Sequence, residues 1–405
     1  MDGQLVLSED FFVDTQSTTR SEPRTPVHHI IAGSFRSLSL FLLAFSPFNR
    51  TISHVQTIPA FGPHQYLALN SQRDRVYTTT WAQPPSLSSW SIDKNEHTWD
   101  KWTVNLVNMV PITATSSYIT LPPPYTHIYS AGGPAGEVHI VEPSTRGFGA
   151  KAQQLLFVPE DELAAADKTR VALRYGSHAI EISNRGFAFI PVLGTNSIER
   201  YRLSSSLPGG LDHIGTTLSP RPHDGPRHLI ISPNGSKLYV VTEHTNFLDV
   251  YDISHTGDLT LAQSRSIIPQ DLRPHVSLYR GDTLRFTPPS PSHPSPGFLF
   301  ATTRGATSET RGWLTVFRLD QDGGKANAIE IIHGETDGGE DTKAWVLLTD
   351  DDESVESGGP GIRVIEWSGW KKGISVAAEW PGERDFQSYT EGDRMRGGSH
   401  AVWLD

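Results

Sequence analysis

A short unit recurs along this 405-residue chain without being copied. It consists of an apolar run, a turn holding Gly, Asn or Arg, and a second apolar run that ends in polar residues. Three instances open at His178-Ala179-Ile180-Glu181-Ile182-Ser183, Arg227-His228-Leu229-Ile230-Ile231-Ser232 and Asp282-Thr283-Leu284-Arg285-Phe286-Thr287, with second runs at 186–190, 238–243 and 298–304. Repetition at roughly 45–55 residues marks a stacked or radial architecture. Strands this short and numerous, separated by turn residues, predict an all-β fold, a seven-bladed β-propeller.

The blades can be followed along the chain. Runs at 28–33, 38–45 and 52–58 form a first set, and the next blade opens at His64 and returns through 76–81. A third spans 117–132, the fourth to sixth open at His178, Arg227 and Asp282, and a seventh holds 344–350 and 361–367. The last residues, His400-Ala401-Val402-Trp403-Leu404-Asp405, read as an inner strand with nothing after it. Residues 28–33 read as a second strand with no inner partner before it. Pairing of N- and C-terminal strands completes one blade and leaves no exposed edge. Ahead of Ala344 the chain holds only Gly338-Gly339-Glu340-Asp341-Thr342-Lys343, so the last blade is expected to lack a full inner strand. The expected organisation is a leader over 1–25 and a single propeller domain over 26–405. Pro-rich 288–297 and the acidic or Gly-rich stretches 337–340, 353–360 and 382–398 read as loops.

Composition narrows the function. A formal charge of −11 argues against a nucleic-acid partner, which would need a basic face. It leaves room for a small anion, since local Arg and His can outweigh the global sign. With no cysteine there is no disulfide and no thiolate chemistry. The apolar run 37–45 is far shorter than the roughly 20 residues that span a bilayer, so no membrane partner is expected. Glu9, Asp10, Asp14 and Glu22 do not suit a secretory or mitochondrial presequence, and the expected compartment is the cytoplasm. Self-assembly is left open. No P-loop, Rossmann fingerprint, zinc helix or nucleophile elbow is present.

Propeller strands alternate in direction, so inner-strand starts and second-strand ends share one rim. That rim collects His64, His178, Arg227, Asp282 and His400 from the former, and Trp81, Glu243, Arg304 and Asp350 from the latter. The opposite ends carry Asn70, Asn184 and Pro233-Asn234-Gly235, which turns require. Two arginines facing one axial pocket suit a small-molecule polycarboxylate substrate, because guanidinium forks match carboxylates. Arg227 and Arg304 are the candidate carboxylate holders, and His178 and Glu243 the candidate proton-transfer groups. His64, Asp282, His400 and Trp81 are further candidates for substrate binding. The competing interpretation is a structural Arg227–Glu243 ion pair within one blade, with Arg304 tying down a loop.

At Tyr175-Gly176-Ser177-His178, Gly225-Pro226-Arg227-His228, Leu238-Tyr239-Val240-Val241-Thr242-Glu243 and Ala301-Thr302-Thr303-Arg304 the chain resembles fungal 3-carboxy-cis,cis-muconate cyclases, within the 6-phosphogluconolactonase-like lactonase propellers. Arg311-Gly312-Trp313-Leu314-Thr315-Val316-Phe317 and the closing Ala401-Val402-Trp403-Leu404-Asp405 fit the same pattern. The resemblance implies a cycloisomerase that needs neither metal nor cofactor. One substrate carboxylate would add across a conjugated double bond to give a γ-lactone. It also implies catalytic roles for His178, Arg227, Glu243 and Arg304. Two alternatives remain: a lactone hydrolase, or a non-catalytic binding platform.

Overall fold

The computed structural model describes residues 27–94, 101–288, 295–307, 309–319, 325–326, 330–333, 343–351, 361–369, 372–382 and 395–404. The expected leader, the loops at 337–340 and 353–360, and most of 288–297 and 382–398 lie outside them.

Seven four-stranded antiparallel sheets surround a common axis. From the axis outward, blade 1 is Gly398–Trp403, His28–Ser34, Ser39–Ser46 and Thr51–Pro59. Blades 2 and 3 begin on the inner strands Leu67–Leu69 and Tyr118–Thr120. Blades 4, 5 and 6 begin on Glu181–Ile182, Pro226–Ile231 and Tyr279–Phe286. Blade 7 is Glu330–His333, Ala344–Thr349, Ile362–Trp367 and Ile374–Trp380. The expectation of an incomplete last blade is therefore corrected. Its inner strand lies upstream of the Gly-Gly stretch, and Glu330 pairs with Leu347 and His333 with Ala344. An apolar run of only Ile331 and Ile332 is too short to register as a strand by pattern alone.

Period-two alternation explains why the two middle strands of blade 1 are apolar on both faces. In His28–Ser34 and Ser39–Ser46, Ile30, Ala32, Phe41, Leu43 and Phe45 pack against Trp345, Leu347 and Trp380 of blade 7. Their neighbours in sequence, Ile31, Leu40 and Leu42, pack against Val76, Trp90 and Ile92 of blade 2. Each blade is thus a sheet with two buried faces, which reads as a continuous hydrophobic run. The same holds around the ring, with seven hydrophobic clusters, one at every blade-to-blade interface.

Closure comes from the two ends of the described chain. Ile30 pairs with Trp403, Ile31 with Val402 and Ala32 with Ala401. Trp403 is buried against the blade 1–blade 7 core, and Val402 and Leu404 against blade 2. The closing strand therefore seals two interfaces at once. Replacing Trp403 with Ala should cost about 3–5 kcal/mol, the usual range for emptying a buried aromatic site. Deleting residues 400–405 should leave a chain with no cooperative transition in urea. A deletion variant that melts as the full chain does would show that the ring does not depend on this strand.

Candidate functional site

Two irregularities in neighbouring inner strands build the site. On blade 5 the register shifts between Pro226 and His228, so Arg227 is the extra residue of a bulge. On blade 6 it shifts between Gly281 and Leu284, which leaves Asp282 and Thr283 outside the ladder. Bulges re-aim side chains that strict alternation would bury. Here they let Arg227 and His228, adjacent in sequence, both reach blade 6. Close backbone contact sets the spacing: a Cβ on Gly281 would stand 2.2 Å from the Thr242 carbonyl oxygen, and the Gly281 amide donates to the Glu243 carbonyl at 3.0 Å. On blade 4 a Cβ on Gly176 would stand 2.2 Å from Gly133, so only glycine lets Ser177 bridge to Gly133 and Val192. That bridge fixes the backbone of His178.

The result is an ion network at one rim. Arg304 Nη2 donates to Glu243 Oε1 at 3.1 Å, and Arg227 Nε lies 3.1 Å from Glu243 Oε2, near enough for charge attraction but off-line for a hydrogen bond. Arg227 Nη1 contacts the Asp282 carboxylate and donates to the Asp282 carbonyl at 2.7 Å. Arg304 Nε stands 3.9 Å from Asp282 Oδ2, and Arg280 Nη1 stands 4.0 Å from Glu243 Oε1. Three guanidinium groups against two carboxylates leave a net positive charge, the sign that an anionic ligand needs. Arg227 and Glu243 are nearly buried, whereas the Arg304 side chain keeps 51% of its surface. Arg304 is therefore the member freest to turn toward a ligand, while Arg227 and Glu243 are held more firmly in place.

His178 lies beside this network, 8% exposed, with its backbone amide held by the Pro191 carbonyl. Burial, with the Arg227 and Arg304 guanidiniums adding to it, pushes its pKa well below the usual imidazole range. His178 is thus a neutral imidazole near pH 7.

Below the rim lies a second polar layer. Leu284 N donates to His228 Nδ1 at 2.9 Å, which leaves the ring proton on Nε2, 3.3 Å from the Tyr118 hydroxyl. Thr283 Oγ1 also meets Nδ1 at 2.6 Å. The Tyr118 hydroxyl donates to Glu181, and Arg285 donates to the Tyr66 hydroxyl. Burial raises the pKa of both Tyr118 and Glu181 and lowers those of His228 and His400. Five blades and the segment before blade 2 supply one contiguous set, of which sequence reasoning singled out only His400.

The expected rim residues divide accordingly. His178, Arg227, Glu243, Asp282 and Arg304 come together at one rim. Asp282 is the ion-pair partner of Arg227. His400 sits in the deeper layer, stacked on Tyr66. Trp81 donates to Gln65 at 2.7 Å, stacks on Phe35 and receives Arg170 over its ring, none of them members of the ion network. His64 is fully buried and edge-on to Trp90, with both ring nitrogens sealed off. Asp350 pairs with Arg363. Arg280 was missed because its strand starts at Tyr279, three residues ahead of the apolar pattern. A cleft of about 660 Å³ lies elsewhere, between the outer parts of blades 3 and 4, lined by Gln153, Phe157, Tyr201 and His213 among others.

A family model described as "Lactonase, 7-bladed beta-propeller" matches residues 29–340. The chain belongs to this lactonase family. Among curated relatives, a muconate cycloisomerase 1 of Cutaneotrichosporon cutaneum is 28% identical over 318 residues, 77% of this chain and 81% of that protein. A carboxy-cis,cis-muconate cyclase of Neurospora crassa is 26% identical over 176 residues, 40% of this chain and 46% of that one. A 6-phosphogluconolactonase of Yersinia pestis is 26% identical over 220 residues, 54% and 59% of the two chains. These relatives thus carry the names of a cycloisomerase, a cyclase and a lactonase. The match stops short of blade 7's outer strands and the closing strand.

The buried histidines set a pH dependence. Burial lowers the His64 pKa from 6.5 to about 4, so the folded ring stays neutral where the unfolded one takes up a proton. Its contribution is complete above pH 6.5 and fades as pH falls toward 4, by up to about 3 kcal/mol. His178, His228 and His400 act in the same direction. Replacing His64 with Leu should flatten, without abolishing, the loss of urea stability between pH 6.5 and 4. An unchanged slope would show that His64 titrates alike in both states.

Proposed function

We propose that this lactonase-family protein is a cofactor-independent cycloisomerase that converts a carboxylated cis,cis-muconate-type diene acid to a γ-lactone. The observation that carries this reading is the convergence of Arg227, Arg304, Glu243 and His178 from three blades on one net-positive rim. The relatives named muconate cycloisomerase and carboxy-cis,cis-muconate cyclase support it.

The chemistry asks little of a base, because the attacking group is already a carboxylate. Arg304 and Arg227 hold carboxylates and bring one oxygen onto the conjugated double bond. Such positioning replaces a costly orientational search. As the C–O bond forms, the π electrons move to the neighbouring carbon and onto its carboxylate. The guanidiniums offset the charge that collects there. That carbon then takes one proton, so a tricarboxylate leaves as a lactone with two carboxylates.

His178 is the group best suited to supply the proton. It is neutral while the site is empty, since burial and two guanidiniums disfavour its cation. An incoming polyanion reverses that balance, because opposite charge favours the protonated form. His178 would therefore gain its proton as substrate arrives and give it up in the reaction. Glu243 keeps the two arginines apart and aligned.

The same geometry could activate water against a lactone, as the relative named 6-phosphogluconolactonase suggests. Diene absorbance and lactone opening, followed separately on 3-carboxy-cis,cis-muconate and on 6-phosphogluconolactone, distinguish the two reactions. Loss of diene signal without lactone opening is the expected result. The converse pattern would reassign the protein as a hydrolase.

Two variants test the roles. Arg304→Gln should lower kcat/KM by about a hundredfold or more, the scale for removing one preorganised charge donor, with an unchanged melting temperature because the side chain is half exposed. Wild-type kinetics would remove Arg304 from the site. Calorimetry in two buffers should register proton uptake on binding of the tricarboxylate at pH 7, and His178→Gln should abolish it. Uptake that survives the substitution assigns the proton to another group.

A further inference from the structure

The rim network does not account for Arg285, which lies three residues beyond Asp282 on the same inner strand, about 10 Å further along the axis. It belongs to a wall made by Tyr66, Tyr118, Glu181, His228 and His400. Tyr66 stacks on His400 at 3.9 Å and 13°, and tilts against Tyr118 at 4.1 Å. Arg285 donates to the Tyr66 hydroxyl and sits 5.7 Å over the Tyr66 ring. Tyr66, Glu181, Arg285 and His400 are half-buried although they lie on or beside the innermost strands. Blade faces are covered by neighbouring blades, so the surface these residues keep belongs to the axial tunnel.

His400 adds a directed donor. Leu67 N donates to its Nδ1 at 3.2 Å, so the neutral ring carries its proton on Nε2. That Nε2 has no hydrogen-bond partner among the described residues, and it is not among the polar atoms sealed from solvent. It therefore points into the tunnel. His228, by contrast, is spent: Leu284 and Thr283 occupy Nδ1, and Tyr118 meets Nε2. The carboxyl on this wall, Glu181, is held by the Tyr118 hydroxyl, with burial raising its pKa and Tyr118 and Arg285 acting against that rise.

We propose that Arg285 and His400, backed by the Tyr66 ring, form a second anion subsite deeper in the tunnel, which receives the far anionic group of an extended ligand whose near carboxylate is held at the rim. This rests on the cyclase reading for the identity of the near group. The far group is a carboxylate if the ligand is a diene acid, and a phosphate if it is a sugar lactone; both suit a guanidinium paired with a neutral N–H donor. The spacing suits a long, flat dianion, and the stacked Tyr66–His400 pair gives its conjugated chain a surface to lie on.

The test compares calorimetric affinities of the full-length protein, Arg285→Gln and Arg304→Gln for three probes: cis,cis-muconate, crotonate and 6-phosphogluconate. A ligand that bridges both subsites loses affinity when either is removed. Cis,cis-muconate should weaken by about tenfold or more in both variants, the scale of one charge-assisted hydrogen bond. Crotonate, a short monocarboxylate, should weaken in Arg304→Gln alone. If only 6-phosphogluconate shows the Arg285→Gln loss, the subsite stands with phosphate as its ligand and the diene-acid reading falls. The subsite is overturned if Arg285→Gln binds both long anions within twofold of wild type, if it weakens crotonate equally, or if the wild type binds neither long anion. Should Arg285→Gln fail to fold, His400→Asn keeps an acceptor for Leu67 N while removing the tunnel donor. It should weaken the long anions about threefold or more and leave crotonate unchanged; equal binding of all three overturns the proposal.

Discussion

Every blade has two apolar faces, and neither can be left in water. That constraint drives the whole structure. A lone four-stranded sheet with Ile30, Phe41 and Leu43 on one side and Ile31, Leu40 and Leu42 on the other would expose both sets. Stacking blades side by side covers one face at each step, and only a closed ring covers the last. The strand Gly398–Trp403 matters out of proportion to its length because it supplies the innermost pairing of blade 1 and side chains to two interfaces. Trp345, Trp380 and Trp403 crowd the junction where the ring closes, and large aromatic areas are what such a junction needs.

Ring closure also produces the site. Seven inner strands run the same way along the axis, so residues at equal depth come from segments far apart in sequence. Arg227 and Asp282 meet across 55 residues, and Arg304 and Glu243 across 61. The ion network is a compromise. Arg227 and Glu243 are nearly buried, and charges taken out of water need partners to be tolerated. Each finds them in the other and in Asp282 or Arg304. The half-exposed Arg304 remains the movable arm. Buried His178 beside two guanidiniums is held neutral, because burial and both neighbouring charges disfavour its cation.

Much of this was legible in the chain. Alternating short strands with turn residues identified blades 1 to 6, and the unpaired run at 400–405 identified the closure. His178, Arg227, Glu243, Asp282 and Arg304 could be placed on one rim because strand direction alternates in any such sheet. The inner strand of blade 7 was not legible, since Glu330-Ile331-Ile332-His333 carries too little apolar pattern. Nor was Arg280, whose strand extends ahead of its hydrophobic segment. His64 and Trp81 obey the same positional rule as His178, yet one is sealed behind Trp90 and the other is engaged with Gln65 and Phe35. Strand position gives height on the axis but not the direction of a side chain.

The sequence by itself determined the number of blades, the way the ring closes and the rim on which charged residues gather. Each of these follows from local alternation and turn chemistry, which neighbouring residues decide among themselves. Only the tertiary structure decided which charges meet. The bulges at Arg227 and at Asp282–Thr283, and the close approach of Gly281 to Thr242, depend on how one inner strand seats against the next. The deeper layer of Tyr66, Tyr118, Glu181, His228, Arg285 and His400 draws on most of the ring, so no local pattern could announce it. Contacts between blades are long-range by construction, and it is those contacts that turn scattered polar residues into a pocket.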